Sequence, residues 1–169
     1  MAPRAPGVER RKTSCCARRS RVKPERRATT ATLAQVEAFR LLGVQSYGLA
    51  VPYLQSISEA IRATYARAGF QCVSSDHLGI STNWEFAYVG DDAIRDLVRR
   101  SNSPQAQAIA VICTNFPAAW LVEELEAELA KPVLDSTVIT VWHSLRLLGI
   151  DTAIPGWGRL LREPMSTPS

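Results

Sequence analysis

Apolar positions along the chain follow two alternating patterns. Segments in which they recur every three or four residues are typical of amphipathic helices, and the short apolar runs between these segments are typical of strands. Helices are predicted over 30–42, 54–68, 91–100, 117–129 and 136–148. Strands are predicted over 46–51, 70–73, 107–112 and 132–134. This alternation predicts an α/β fold in which a four-stranded parallel sheet carries helices on both faces.

The helical spacing also predicts which side chains are buried. The stripe of the first helix consists of Leu33, Val36, Phe39 and Leu42, and that of the second consists of Leu54, Ile57, Ile61 and Tyr65. Residues 74–90 are predicted to form a long irregular connection. Long connections in compact domains are often functional.

Two helical segments of the sequence resemble each other. TTATLAQVEAFRLLGV (29–44) and DSTVITVWHSLRLLGI (135–150) share hydroxyl residues at the start, a matched apolar stripe and Arg-Leu-Leu-Gly near the end. Two amphipathic helices could have converged on this pattern. Alternatively, the chain holds an internal duplication, and one unit would then be about 106 residues long with a further unit upstream.

Charge is distributed unevenly between the first 27 residues and the rest. Residues 1–27 contain ten Arg or Lys and two Glu, whereas the remainder has a net charge of −4. Such a basic head, poor in large apolar residues, is predicted to be disordered. A nucleic-acid-binding arm is disfavoured because no aromatic residue is interleaved, and a transit peptide fits only partly. We favour a third interpretation, in which this head is not native sequence and arises from a shifted frame or a misplaced start codon.

Several functional classes are excluded by missing sequence signals. No run of eighteen apolar residues predicts a membrane span, and no apolar segment follows the basic head as in a secretory signal. The four cysteines form no C-x-x-C or Cys/His spacing, so neither zinc nor a disulfide framework is predicted. There is no phosphate loop, nucleophile elbow or H-E-x-x-H motif. We therefore expect no metal and no cofactor, and the cysteine usage favours the reducing cytoplasm.

Cys113 is the strongest candidate for a chemical role. It follows the most strand-like run and precedes Thr114-Asn115-Phe116-Pro117, where a helix is predicted to begin. Ligands of parallel sheets bind at the carboxyl ends of the strands, and the N–H groups at a helix start bind anions and favour a thiolate. The alternative is a small buried hydrophobic residue, which is how we interpret Cys72.

Tyr53 and Asn83 are candidates for substrate binding. Tyr53 follows the first strand, so its phenol could donate a hydrogen bond to a substrate carboxylate, although it could equally pack on its own lobe. Asn83 offers an uncharged amide in the long connection, but asparagine is also a common turn residue. His77 could act as a general base but has no partner at a suggestive spacing, and His143 is interpreted as structural.

One long segment identifies a family resemblance. AVICTNFPAAWLVEELEAELAKPVLDSTVITVWHSLRLLGI (110–150), together with Gly-Trp-Gly-Arg-Leu-Leu at 156–161, resembles the C-terminal half of the aspartate/glutamate racemase superfamily. Within it, the maleate cis-trans isomerases and arylmalonate decarboxylases are the most similar. The resemblance extends over 28–163 and implies one lobe of a pseudo-symmetric two-lobed fold with cofactor-independent chemistry. Each lobe gives one cysteine in the racemases and isomerases, whereas the decarboxylases keep only the one matching Cys113.

The resemblance also implies roles for individual residues. Cys113 matches the second-lobe cysteine that attacks or protonates the substrate carbon. Tyr53 and Asn83 match residues that bind a substrate carboxylate, and the backbone N–H groups of Thr114 and Asn115 would complete the carboxylate site. The implied function is the isomerisation of a small dicarboxylate, of the maleate-to-fumarate type. Amino-acid racemisation, arylmalonate-type decarboxylation and a non-catalytic carboxylate-binding lobe remain alternatives.

The first lobe of this family has no counterpart in the chain. We therefore expect 28–163 to be a C-terminal catalytic lobe of a truncated protein, with a disordered tail at 164–169. Helix 136–148 should belong to the missing lobe, so the chain should aggregate, self-associate or fold this helix back onto its own sheet. An N-terminal lobe or a second copy is the partner expected besides the dicarboxylate.

Overall fold

The structure, a computed structural model, describes residues 28–162. The predicted disordered segments at 1–27 and 164–169 lie outside the described residues. The strands are β1 (Ser46–Val51), β2 (Gln71–His77), β3 (Ala108–Val111) and β4 (Val133–Asp135). The α-helices are α1 (Ala31–Leu41), α2 (Gln55–Arg67), α3 (Asp91–Arg100), α4 (Val122–Leu129), α5 (Ser136–Leu148) and α6 (Arg159–Arg162). Two 3₁₀ helices span Asn83–Tyr88 and Ala119–Leu121.

The four strands form one parallel sheet in the order β2-β1-β3-β4. Helices connect the strands, as the alternating pattern predicted, and the α/β fold class is confirmed. β1 and β3 lie at the centre, and β3 is fully buried because both of its faces are covered. In this order β2 lies on one side of β1 and β3 on the other, so the connection from β2 to β3 crosses over β1.

Aromatic packing joins α1 and α2 to one face of the sheet. The ring of Phe39 in α1 lies 5.0 Å from that of Tyr47 in β1 and 6.0 Å from that of Tyr65 in α2. Right-handed crossovers place α3 and α4 on the opposite face. Ion pairs tie these two helices together, with Arg95 Nε 2.8 Å from Glu124 Oε1 and Arg99 Nε 2.7 Å from Glu128 Oε1. The sheet is therefore a rigid two-sided platform.

The prediction for residues 74–77 was wrong. These residues extend β2 to His77 instead of forming irregular structure. Their polar side chains gave no apolar pattern from which a strand could be predicted. The reason is that β2 is an edge strand, which pairs only with β1 and is half-exposed along its length. The connection that follows is accordingly shorter than predicted, and the 3₁₀ helix Asn83–Tyr88 lies within it.

The apolar stripes of α1 and α2 are only partly buried. In α1 the buried positions are Ala34, Gln35, Ala38 and Phe39, whereas the predicted Leu33 is 52% exposed. In α2 Tyr65 is buried, but Leu54 and Ile57 are exposed. A cavity of about 220 Å³ lies along these helices and includes Thr32, Ile57 and Ile112 in its lining. An apolar surface thus remains open beside the carboxyl end of β3.

Helix α5 packs on the lobe that is present. It lies against α1 and β4, and Val138 and Trp142 are buried in the contact. Thr29 Oγ1 and His143 Nδ1 are 2.7 Å apart and join the start of α1 to α5. Of the three expected fates of this helix, the structure has the one in which it folds back. The coverage is incomplete, because Val141 and Leu148 stay exposed.

Candidate active site

The centre of the carboxyl edge of the sheet is the place where an α/β fold binds ligands. The connections after β1 and β3 leave in opposite directions, which opens a crevice between the ends of these two strands. Tyr53 lies two residues beyond β1 and Cys113 two residues beyond β3. Because Ala50 pairs with Val111, both side chains emerge at the same height of the sheet.

Tyr53 and Cys113 are electrostatic neighbours. Burial, and then the nearby Cys113 thiol, raise the pKa of the Tyr53 phenol above its usual range. The phenol is therefore a proton donor throughout the neutral range. Cys113 itself is 4% exposed, so its side chain is almost fully buried.

Phe86 holds the ring of Tyr53 in place. The two rings meet edge to face, with centroids 5.1 Å apart and planes at 84°. Phe86 belongs to the 3₁₀ helix Asn83–Tyr88 and is buried. The sequence analysis missed this residue. In the sequence Phe86 is only an apolar residue three positions after Asn83, in a connection without regular spacing. The structure shows that it is the buried residue of this connection.

Asn83 and Asn115 are also brought together. Asn115 Nδ2 donates a 2.7 Å hydrogen bond to the backbone carbonyl of Asn83. The side-chain amide of Asn83 is exposed and makes no hydrogen bond with any other residue of the described range 28–162. It is thus available to a ligand, whereas the Asn115 amide is engaged.

The turn that carries Cys113 differs from the prediction. Residues 113–116 form a hydrogen-bonded turn in which Phe116 N donates to the Cys113 carbonyl at 3.3 Å. Pro117 does not open the helix, because Ala119–Leu121 is a 3₁₀ turn and α4 begins only at Val122. Cys113 therefore does not lie at the first turn of an α-helix. Two residues of coil and the 3₁₀ turn separate the Cys113 turn from α4.

Backbone N–H groups without an acceptor occur after both strands, among residues 28–162. Those of Thr114 and Asn115 find no acceptor within residues 28–162, and both residues are exposed. On the other side, α2 begins directly after Tyr53 with Leu54 as N-cap and no side chain capping it. Unpaired N–H groups at a turn and at a helix start are suited to hold carboxylates.

The other candidate residues occupy different parts of the lobe. Cys72 faces the start of β1, where it pairs with Tyr47, at the opposite end of the sheet. His77 ends β2 at the carboxyl edge of the sheet, beside the last residue of β1. His143 on α5 contacts Thr29. In the part of the chain that the structure describes, no three His, Cys, Asp or Glu side chains are arranged to hold a metal ion. None of its helices is long and apolar enough to cross a bilayer.

Proteins of known activity have similar sequences and folds. A family model described as arylmalonate decarboxylase matches residues 19–161. A maleate isomerase of Nocardia farcinica is 30% identical over 131 residues, which is 77% of this chain and 52% of the relative. An arylmalonate decarboxylase of Bordetella bronchiseptica is 30% identical over 138 residues, or 80% of this chain and 58% of the relative.

A solved structure agrees with these matches. The N. farcinica maleate cis-trans isomerase, as a cysteine-to-serine mutant with a covalently bound succinylcysteine intermediate, superposes with a TM-score of 0.76 at 28% identity. The match covers 78% of this chain and 54% of that one. The chain thus spans about half the length of the relatives it matches. Because the family model covers most of the sequence, this protein belongs to the arylmalonate decarboxylase family.

Proposed function

We propose that the protein is a cofactor-independent, cysteine-based isomerase of a small dicarboxylate of the maleate type. The observation that carries this proposal is that the sheet register brings Tyr53, after β1, and Cys113, after β3, to adjacent strand ends at the switch point of the sheet. A buried thiol with a neutral phenol donor beside it, and unpaired N–H groups around it, is an arrangement for nucleophilic addition to a dianion.

In this mechanism Cys113 is the nucleophile. Its sulfur adds to one alkene carbon of the substrate, and the electron pair of the double bond becomes an enolate-like charge delocalised into the adjacent carboxylate. Rotation about the resulting single bond and elimination of the thiolate re-form the alkene in the trans geometry. Tyr53, the Asn83 amide and the N–H groups of Thr114 and Asn115 would hold the carboxylates and stabilise the added charge.

The comparisons support the covalent route. The N. farcinica isomerase that this chain resembles carries a succinylcysteine intermediate on a cysteine other than the one its mutation replaces by serine, which supports thiol addition as the chemistry without assigning it to Cys113. The second candidate is decarboxylation, favoured by a relative of equal identity that is an arylmalonate decarboxylase. There Cys113 would protonate the carbanion left when carbon dioxide departs. Tests with both substrates separate the two.

We further propose that residues 28–163 form one catalytic lobe and that turnover requires a second lobe facing the carboxyl edge. The exposed side chains of Leu33, Leu54 and Ile57 support this, since contiguous apolar surface beside a site is typical of an interface. The second lobe could belong to the same or another polypeptide.

The test is proton NMR of maleate incubated with the protein. We expect fumarate to appear once a second lobe from a maleate isomerase is supplied, and little or none from the described lobe alone. An arylmalonate incubated in parallel should release no carbon dioxide. Fumarate formation by the monomeric chain alone would contradict the two-lobe requirement. Carbon dioxide release without fumarate would replace isomerisation by decarboxylation.

Tyr53→Phe is expected to weaken maleate binding by about tenfold or more, because a hydrogen bond to a charged group contributes roughly 1.5–3 kcal/mol. The phenylalanine ring keeps the contact with Phe86, so the melting temperature should change little. Isothermal titration with maleate and thermal unfolding measure the two effects. Leu41→Ala, at an exposed position at the end of α1, serves as a control for nonspecific loss. Unchanged maleate affinity in Tyr53→Phe would remove Tyr53 from the binding site.

A further inference from the structure

The hydrogen bond between Asn115 and Asn83 links two parts of the site that are 32 residues apart in sequence. Asn115 lies on the turn 113–116 that carries Cys113, and Asn83 begins the 3₁₀ helix Asn83–Tyr88. The donor is a side-chain amide, but the acceptor is a backbone carbonyl. This bond therefore fixes the position of the helix backbone and does not depend on which side chain residue 83 carries.

The same 3₁₀ helix also contacts the other side of the crevice. Phe86, one turn after Asn83, packs edge-on against Tyr53, which follows the strand β1 that pairs with β3, the strand before Cys113. A closed circuit thus runs from Cys113 through Asn115, the 3₁₀ helix, Tyr53 and the paired strands back to Cys113. Short 3₁₀ helices have few internal hydrogen bonds, so such a segment depends on outside contacts for its position.

We propose that Asn115 is a positioning residue whose side chain clamps the 3₁₀ helix Asn83–Tyr88 onto the Cys113 turn. The clamp presents the Asn83 amide, the Tyr53 hydroxyl and the Cys113 thiol to one substrate. Asn115 acts on the substrate only through its backbone N–H, and its side chain acts through Asn83 and Phe86. This role rests on the proposed function of the site, but the clamp itself can be tested without it.

Hydrogen exchange tests the clamp directly. Two amides report on the 3₁₀ helix: Glu85 N, which donates to Thr82 O at 3.1 Å, and Val89 N, which donates to Phe86 O at 3.4 Å. In Asn115→Ala and in the isosteric Asn115→Asp, both amides should exchange about five to ten times faster at neutral pH, as expected for one lost hydrogen bond. The amide of Ile109 in β3 should be unaffected, which shows that the fold is intact.

Asn83→Ala is the matched control, because the backbone carbonyl that accepts the bond remains. Its exchange at Glu85 and Val89 should stay within about twofold of the wild type. Unchanged exchange in both Asn115 variants would overturn the clamp, and so would equal acceleration in Asn83→Ala.

With the second lobe supplied, the kinetics of covalent adduct formation between maleate and Cys113, followed by the intact mass of this chain, separate positioning from binding. Asn115→Ala should lower the limiting rate several-fold, whereas Asn83→Ala should mainly raise the half-saturating maleate concentration. A change confined to the half-saturating concentration in Asn115→Ala would mean that Asn115 binds substrate directly, and would overturn the positioning role. If the wild type forms no adduct, the proposed function fails, and the exchange result still decides whether Asn115 holds the 3₁₀ helix.

Discussion

Cys113→Ser is expected to lower isomerisation by on the order of 10³-fold or more while leaving the fold intact. A serine hydroxyl is a far weaker nucleophile than a thiolate at neutral pH, so the addition step should be lost. The side chain is nearly the same size, so the packing around this buried position should be kept. Turnover of maleate by NMR and thermal unfolding measure the two effects, with the second lobe supplied.

Cys72→Ser provides the control for this experiment. Burial raises the pKa of the Cys72 thiol, and the nearby Arg62 guanidinium lowers it only in part. Cys72 also lies at the other end of the sheet from the crevice, so its replacement should leave turnover within about twofold. Retained turnover in Cys113→Ser, or a large loss in Cys72→Ser, would show that the reacting thiol has been misassigned.

The sequence predicted those elements of the fold that bury a consistent face. The apolar run that forms β3 and the stripe of α5 predicted their elements well, because burial on two faces or on one helical stripe leaves a clear spacing. β2 was underestimated for the opposite reason. An edge strand exposes much of its length to water, so Ser74, Ser75 and Asp76 carry no apolar signal.

The candidate site was predictable in part. Cys113 and Tyr53 could be placed together because both directly follow strands whose carboxyl ends meet at one edge of a parallel sheet. The links through Phe86 and the Asn115 side chain could not, since they depend on how a connection without regular spacing folds over the crevice. The position of Pro117 was misleading, because a proline suited to open a helix was followed by a 3₁₀ turn instead.

Asp135 is a buried carboxyl whose ionisation destabilises the fold, which the sequence did not reveal. One oxygen, Oδ1, caps α5 by accepting from Thr137 N at 2.9 Å and Val138 N at 3.0 Å. The other oxygen, Oδ2, has no hydrogen-bond partner, and no cation pairs with this carboxyl among residues 28–162. Burial raises the pKa of Asp135 to about 6, although the two capping N–H groups lower it.

This shift sets the sign of a pH effect on stability. The pKa of Asp135 is lower in the unfolded chain than in the folded protein. Below about pH 4 the carboxyl is therefore protonated in both states and does not change the free energy of unfolding. As the pH rises from about 4 to 6, the unfolded chain ionises more readily than the folded one, and the fold is progressively destabilised. Above about pH 7 the difference of about two pKa units corresponds to about 3 kcal/mol.

Asp135→Asn should therefore raise the free energy of unfolding at pH 7.5 by about 2–3 kcal/mol. The asparagine oxygen keeps the cap on α5, and the buried negative charge is removed. Near pH 4 the variant and the wild type should differ by less than about 1 kcal/mol, since both then carry a neutral group. Urea unfolding at a series of pH values measures the difference directly.

The matched control is Asp151→Asn, because Asp151 also accepts a backbone hydrogen bond, from Ala153 N at 3.1 Å, but is exposed. That variant should change the free energy of unfolding by less than about 0.5 kcal/mol, because the side chain is exposed. Asp135→Ala should be destabilising at every pH, because it removes the cap together with the charge. A pH-independent difference between Asp135→Asn and the wild type would mean that interactions in the folded protein offset the unfavourable burial of the carboxylate charge. The carboxylate would then contribute to stability as an ionised helix cap at the start of α5.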